Sequence, residues 1–298
     1  MDPATPAKTL ASVLDGAAAF LAKYGVDSPR ATAEFLAARL LRCKRGGLPA
    51  RAAAVLPEPV LEAMRRGMRR VASGEPLQYV LGQWDFRSIT LKTDKRALVP
   101  RPETEELVSL VLASPPLRAA AAPLVLDYGT GSGCIALAIA AEHPAARVVG
   151  VDVSADALAL ARENADALGL ASRVAFVDAG ETDLGDVLDP GSVDVIVSNP
   201  PYIPSSAVDR LDPKVLAHEP RLALDGGPDG MAVLRQVAEE ASMLLASGGG
   251  LFLELDAESG QARPMAGYLR ELGFDAVRAH RDLAGAERFL SAVLSDGL

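Results

Sequence analysis

Three stretches near the N-terminus carry apolar residues at helical spacing: Leu10 to Tyr24, a segment opened by Ser28-Pro29 and running to Leu41, and Pro59 to Val71. Apolar positions that recur every three or four residues predict amphipathic helices whose faces are buried together, so residues 1–72 read as a small helical bundle. Ser28 is a good N-cap residue with Pro29 at the first helical position, and Gly74 follows the third segment as a stop. From Gly82 to Asp94 the pattern changes to a weak alternation through Trp84, Phe86, Ile89 and Leu91, which predicts a β-hairpin within a linker spanning residues 73–97.

Residues 98–298 alternate short apolar runs with helical patterns, the signature of an α/β domain. The predicted strands are Pro123 to Asp127, Arg147 to Val151, Arg173 to Val177, Val193 to Ser198, Gly249 to Leu255, Phe274 to Ala279 and Arg288 to Val293. Continuous apolar runs suit parallel strands buried on both faces. The connection from Arg281 to Glu287 is too short for a helical crossover, so the last strand is expected to be antiparallel.

Candidate chemistry gathers at the ends of those strands, where α/β sheets place their ligands. The run Val193 to Ser198 ends in Asn199-Pro200-Pro201-Tyr202. Two prolines fix their own φ angles and remove two N–H donors, leaving a stiff rim of carbonyl acceptors. With the Asn199 side-chain carbonyl, that rim suits a planar NH2 group, and Tyr202 would lie flat beside it. A strand-to-loop corner without function would look similar. The strand ending at Asp127 leads into Tyr128-Gly129-Thr130-Gly131-Ser132-Gly133 and then a helix from Cys134 to Ala141. Glycines admit a ligand close to the backbone, and the helix N-terminus behind them favours an anionic group. Asp152, at the end of the next strand, is placed to accept from both hydroxyls of a ribose. The glycines are spaced G-x-G-x-G rather than G-x-G-x-x-G, which turns the choice of nucleoside cofactor away from a dinucleotide.

In this order, these motifs resemble a class I S-adenosylmethionine-dependent methyltransferase that acts on nitrogen. Glu75-Pro76-Leu77-Gln78-Tyr79-Val80-Leu81-Gly82, Leu98-Val99-Pro100-Arg101-Pro102-Glu103-Thr104-Glu105 and Glu219-Pro220-Arg221-Leu222-Ala223-Leu224-Asp225-Gly226-Gly227 narrow the resemblance to the HemK-type release-factor glutamine methyltransferases. The resemblance implies a Rossmann-like, mostly parallel sheet with a helical N-terminal domain that recognises substrate. It implies methyl transfer from S-adenosylmethionine to the side-chain nitrogen (N5) of the glutamine in the Gly-Gly-Gln loop of class 1 peptide-chain release factors. Catalysis and substrate binding would fall to Asn199, Pro200, Pro201 and Tyr202. Cofactor contacts would come from Asp127, Gly129, Thr130 and Gly131, with Asp152 at the ribose and Asn199 at the reacting end. At the adenine end relatives place an acidic residue where this chain has Gly180, so Asp178 is expected to take that contact, the alternative being that the neighbouring backbone reads the base. Tyr128 stands where an aliphatic residue is usual. Arg101 and Glu103 either form a lid over the cofactor or, for Glu103, complement the dipole of the helix that follows.

Composition narrows the choice. The chain has 298 residues, 49% hydrophobic and 23% charged, enough for sizeable cores in two parts. Its net charge of −9 divides unevenly: residues 1–75 hold 12 Lys and Arg against 7 Asp and Glu, and the remainder holds 18 against 32. Arg65, Arg66, Arg69 and Arg70 therefore form either a solvated face or a grip on an acidic partner. The acidic remainder argues against an adenine-N6 nucleic acid methyltransferase, and no stable nucleic acid partner is expected. Glutamine methylation of a ribosomal protein, or a scaffold that keeps the fold without turnover, would be compatible with the same motifs. Cys43 and Cys134 make no disulfide framework, and His143, His218 and His280 lie too far apart in sequence for a metal-ligand spacing. No apolar stretch has the length of a membrane span, and no basic segment followed by an uninterrupted apolar core stands near the N-terminus, Asp15 breaking it, so the cytoplasm is the expected compartment; a monomer is expected separately.

Overall fold

The computed structural model describes residues 8–295; residues 1–7 and 296–298, the outer ends of the first and last predicted domains, lie outside the described residues. The chain forms two units, one ending at Gly82 and the other beginning at Gln83.

The first unit holds α1 (Leu10–Lys23), α2 (Pro29–Leu40), α3 (Glu58–Ala72) and α4 (Leu77–Leu81). Leu10, Leu14, Ala17 and Leu21 on α1, and Leu61, Met64, Gly67 and Val71 on α3, recur at intervals of three and four residues and are all buried. These faces close one apolar core. Thr9 caps α1, its hydroxyl accepting from the Ser12 N–H at 3.3 Å. Ser28 stands at the N-cap of α2 but differs from the expected cap: it has left-handed backbone (φ 50°, ψ 52°) and its side chain makes no capping bond. Proline at the next position disfavours helical geometry at Ser28, so Pro29 rather than a hydroxyl sets the start of the helix. The end of α3 is turned by Gly74 at φ 101°. Two arginines of the expected basic face are engaged locally, Arg65 with Glu58 and Arg70 with Glu75. Arg66 and Arg69 are exposed.

The second unit opens with a hairpin, β1 (Gln83–Phe86) and β2 (Ile89–Lys92), whose register pairs Phe86 with Ile89. At its turn the Arg87 guanidinium donates to both oxygens of Glu142, at 2.9 and 2.8 Å. Phe86, Ile89 and Leu91 enter the same apolar cluster as Leu107 and Leu137, so the hairpin packs as part of this unit. α5 (Pro102–Ala113) and α6 (Pro115–Ala119) then lead to the sheet.

The sheet comprises β3 (Leu124–Tyr128), β4 (Arg147–Asp152), β5 (Val174–Asp178), β6 (Val193–Ser198), β7 (Leu245–Glu254), β8 (Phe274–Arg281) and β9 (Glu287–Leu294), in the spatial order β5-β4-β3-β6-β7-β9-β8. β5 to β7 run parallel, and β9 is inserted antiparallel between β7 and β8. α7 (Cys134–Glu142) and α8 (Ala155–Leu168) make the β3–β4 and β4–β5 crossovers, and α11 (Ala232–Leu244) and α12 (Ala262–Glu271) flank β7 in sequence. Val125 and Val195 join one core and Leu126 and Ile196 the other, as strands covered on both faces require. Between β6 and α11 lie two short helices, α9 (Ser205–Val208) and α10 (Pro213–His218).

β7 begins at Leu245, four residues before the expected start at Gly249. Pairing with β6 shifts between Val193–Leu245 and Val195–Gly250, and Gly248 has φ 76°. The glycine run lies at a bulge inside the strand. Among the described residues no helix is long and apolar enough to cross a membrane.

A Cβ on Gly67 of α3 would lie 2.9 Å from Leu36 Cδ2 of α2, so these helices meet where a side chain is missing. Gly67→Leu should lower the stability of the helical unit by about 1–3 kcal/mol, measured as a lower urea midpoint for the far-ultraviolet helix signal; an unchanged midpoint would contradict this packing.

Candidate active site

Strand order reverses between β3 and β6, and the loops after these strands diverge and leave a cleft at their carboxyl ends. The glycine loop forms one wall. Gly129 and Thr130 both donate N–H to the Val151 carbonyl of β4, at 2.8 and 2.9 Å. Gly131 donates to Asp152 Oδ2 at 2.9 Å. Gly129 and Gly131 have φ of 72° and 55°, backbone that a side chain would strain. Asp152 is thus already part of the loop's support, its other oxygen accepting from the Ser154 N–H at 2.9 Å.

The Asn-Pro-Pro-Tyr tip forms the facing wall. The Ser198 hydroxyl ties it to the Tyr128 carbonyl at 2.6 Å. From behind, Gln261 Nε2 donates to the Tyr202 carbonyl at 2.8 Å. Gly226 donates N–H to the Ile203 carbonyl at 2.8 Å. Cβ atoms on Gly226 and Gly230 would come within 2.7 Å of the Pro201 carbonyl and 2.4 Å of the Tyr202 carbonyl. The conspicuous Glu219-to-Gly227 motif is therefore in part the backing of the tip.

Two hollows meet at this tip. The first, about 250 Å³, is walled by the glycine loop, Asp152, Thr104 and Asn199 to Pro201. The second, about 220 Å³, is walled by Asn199 to Ile203 together with Leu211, Val215 and Glu219. Asn199, Pro200 and Pro201 belong to both. Arg101 also borders both hollows and donates through Nη2 to the two carboxylate oxygens of buried Glu219, at 2.8 and 2.7 Å. Glu103 lies in the first turn of α5, where an acidic residue complements the helix dipole.

Gly129, Thr130, Gly131, Asp152 and Asn199 all border the first hollow, and Tyr202 borders only the second. Asp127 differs from the expectation of a direct cofactor contact. It is 0% exposed beneath the loop, where its Oδ2 accepts from the Thr130 hydroxyl at 2.6 Å and the Ala136 N–H at 3.1 Å. The strand end points this side chain into the core, and it acts on the hollow through the loop it braces. Where the resemblance expects the adenine, Ala179 is on the wall of the hollow. Asp178 is turned into its own loop, its Oδ1 accepting from the Gly180 N–H at 2.9 Å. Of the two possibilities at that end, this arrangement favours the backbone. Tyr128 is accommodated by α11, its hydroxyl donating to Glu240 Oε1 and accepting from Gln236 Nε2, both at 3.0 Å. The Cys134 thiol is pushed up by burial to about 12 and is a neutral part of the wall.

Two residues given no role from sequence bear on Asn199: Thr104, which lies within the Leu98-to-Glu105 motif, and Glu254, which lies outside every motif. Asn199 Nδ2 donates to Thr104 Oγ1 at 3.0 Å, and the Thr104 hydroxyl donates to Glu254 Oε2 at 2.9 Å. Thr104 is 2% exposed and Glu254 1%. Glu254 is visible in sequence as the one charge in Leu251-Phe252-Leu253-Glu254-Leu255, and an acid within a buried strand is the signal that identifies it. Among the described residues no His, Cys, Asp and Glu group is arranged to hold a metal ion.

Burial raises two carboxyls here, Asp127 from its ordinary 3.8 to about 7 and Glu254 from 4.5 to about 7. Over that window the folded chain keeps protons that the unfolded chain has lost, so these groups' contribution to stability falls as pH rises from the unfolded to the folded value. Asp127→Asn should flatten the decline of the urea midpoint with pH across this interval; the same slope in wild type and variant would rule Asp127 out as its source.

Residues 12–82 match the family described as PrmC N-terminal domain, and residues 107–227 match the Methyltransferase small domain. A protein of Caulobacter vibrioides named Release factor glutamine methyltransferase is 43% identical over 227 residues, covering 76% of each chain. One of the same name from Chlorobaculum tepidum is 40% identical over 281 residues, covering 92% of this chain and 94% of its own. Among solved structures, a methyltransferase from Pyrococcus furiosus superposes with a TM-score of 0.50 at 20% identity, over 69% of this chain and 89% of that one, a likeness of fold. With its cleft built from the glycine loop and the Asn-Pro-Pro-Tyr tip, and with relatives at this identity along nearly its whole length, the chain belongs to the release factor glutamine methyltransferase family.

Proposed function

We propose that this protein transfers a methyl group from S-adenosylmethionine to the side-chain nitrogen of the glutamine in the Gly-Gly-Gln segment of class 1 peptide-chain release factors. The observation that carries this reading is the wall common to the two hollows, in which Asn199, Pro200 and Pro201 stand between a glycine-lined recess and a second one bordered by Tyr202. The glycine-lined recess fits the cofactor. Its loop has left-handed glycines, Gly129 and Gly131, with open space where a Cβ would stand, and beneath it the Asp127 carboxyl, raised to about 7 by burial, keeps one oxygen without a hydrogen-bond partner. Gly129, Thr130 and Gly131 would hold the methionine portion, Asp152 the ribose, and the backbone around Ala179, with Asp178 beside it, the base. When bound, S-adenosylmethionine supplies a methyl group carried on a positively charged sulfur.

The chain's own contribution is orientation and charge. An amide nitrogen is a poor nucleophile because its lone pair is delocalised into the carbonyl, so the geometry of approach decides the rate. Asn199 Oδ1 and the Pro200 carbonyl would accept the two N–H bonds of the substrate carboxamide, fix its nitrogen and stabilise positive charge as it develops there. Tyr202 and Pro201 would line the path of the glutamine side chain. Its nitrogen becomes acidic only on gaining the methyl, so the surplus proton can leave late and no basic side chain is required.

The helical unit, with its excess of Lys and Arg, is assigned to recognition of the protein substrate, and a cytoplasmic monomer without a nucleic acid partner completes the reading. Incubation of a purified release factor with this protein and S-adenosylmethionine should add one methyl to the loop glutamine, read by mass spectrometry of the peptide; a factor left unmodified would refute the assignment. Asn199→Ala should lower kcat by about 10² or more with cofactor affinity by calorimetry nearly unchanged, the size being that of losing one preorganised group of an oxyanion hole. Equal losses in both would remove Asn199 from the catalytic role.

A further inference from the structure

An asparagine carboxamide is nearly symmetric in shape, but its two ends have opposite hydrogen-bonding character. If Asn199 is to receive an N–H from a substrate, its oxygen must face the cleft and its NH2 must face inward. Shape alone does not enforce that choice, so a chemical group behind the side chain must.

The chain from Asn199 through Thr104 to Glu254 has the required polarity. An ionised carboxylate only accepts hydrogen bonds. Buried against it, the Thr104 hydroxyl spends its single hydrogen on Glu254 Oε2, at 2.9 Å. Thr104 Oγ1 then has only lone pairs to offer Asn199, and the end of the carboxamide that meets it at 3.0 Å is Nδ2. Burial holds the Glu254 carboxyl up at about 7, while the Thr104 hydrogen bond, Arg288 and Arg101 favour its ionised form and Glu103 opposes it, so this polarity belongs to the ionised form present above that value. The three linked residues come from separate places in the sequence: the first turn of α5, the end of β7 and the loop after β6.

We propose that Thr104 and Glu254 are positioning residues that set which end of the Asn199 carboxamide faces the substrate. This rests on the assignment of Asn199 above and deepens it. Thr104 borders the first hollow and Glu254 does not, and the role proposed for both is exercised through the orientation of Asn199. Replacing the hydroxyl leaves Nδ2 without its acceptor and lets the amide turn, so that an NH2 group meets the substrate's NH2. Replacing the charge by a carboxamide lets the Thr104 hydrogen point either way.

The test is a double-mutant cycle on the full-length enzyme with release factor as substrate. Thr104→Val should lower kcat by about tenfold or more with the cofactor dissociation constant changed by less than about twofold, and Thr104→Ser should recover most of that loss. In the Asn199→Ala background, Thr104→Val should have almost no further effect, because the group it orients is gone. If instead the two losses multiply, or if Thr104→Ser is as impaired as Thr104→Val, the orienting role is overturned. Should Thr104→Val fail to fold, the cycle runs with Glu254→Gln, which should lower kcat by about threefold or more and likewise add nothing to Asn199→Ala. A Glu254→Gln enzyme with wild-type kcat, or one whose loss multiplies with that of Asn199→Ala, overturns the role of the carboxylate. The outcomes separate from the underlying reading: Asn199→Ala without effect sinks the role of Asn199 itself, whereas a slow Asn199→Ala enzyme with normal Thr104 and Glu254 variants sinks this inference alone.

Discussion

The cleft exists because parallel strands cannot be joined by tight turns. Each needs a crossover, and where successive crossovers leave in opposite directions, between β3 and β6, the loops part and expose strand ends that no helix covers. The groups that matter chemically are attached to that gap. The glycine loop follows β3, Asp152 ends β4, Asn199 follows β6 and Glu254 ends β7. The antiparallel β8 and β9 extend the sheet beyond β7 and leave the gap between β3 and β6 unchanged.

Placing polar groups at such a point has a cost, carried by Asp127 and Glu254. Both are buried, and burial pushes each up to about 7. A well-packed apolar residue at either position would avoid the penalty of desolvating a carboxylate. What the carboxylates provide is direction. Asp127 gathers the Thr130 hydroxyl and the Ala136 N–H, joining the glycine loop to the helix behind it. Glu254 gathers the Thr104 hydroxyl and through it Asn199. In each case the acid lies behind the wall, while the group facing the hollow is a backbone amide or a neutral side chain.

Much of this was legible in the sequence, because period and punctuation carry it. Helices α1 to α3 follow from apolar spacing, whereas α4 falls in what reads as linker, and the antiparallel insertion of β9 follows from a connection too short for a crossover. The strand tips are marked by Gly129, Gly131, Asp152 and Asn199, whose residue types are unusual for their places. What was not legible depends on direction and depth. No spacing tells whether the Asp127 carboxyl points into the hollow or beneath it, nor that Asp178 turns back to Gly180. The conformation of Ser28 depends on the turn before it, and the early start of β7 on a bulge that needs its partner strand to form. Thr104 and Glu254 are 150 positions apart in sequence and meet only when α5 is laid against β7.

Gly226 and Gly230 bear on the tip in a different way. They press bare main chain against the Pro201 and Tyr202 carbonyls, closer than any methyl group could lie. The depth of the tip is thereby gauged by peptide planes, which have no rotamers to exchange. Side chains elsewhere can be traded for others of similar volume while the ruler keeps its length. Tolerance of substitution and constancy of the reactive corner are compatible here because they are written in different parts of the polymer.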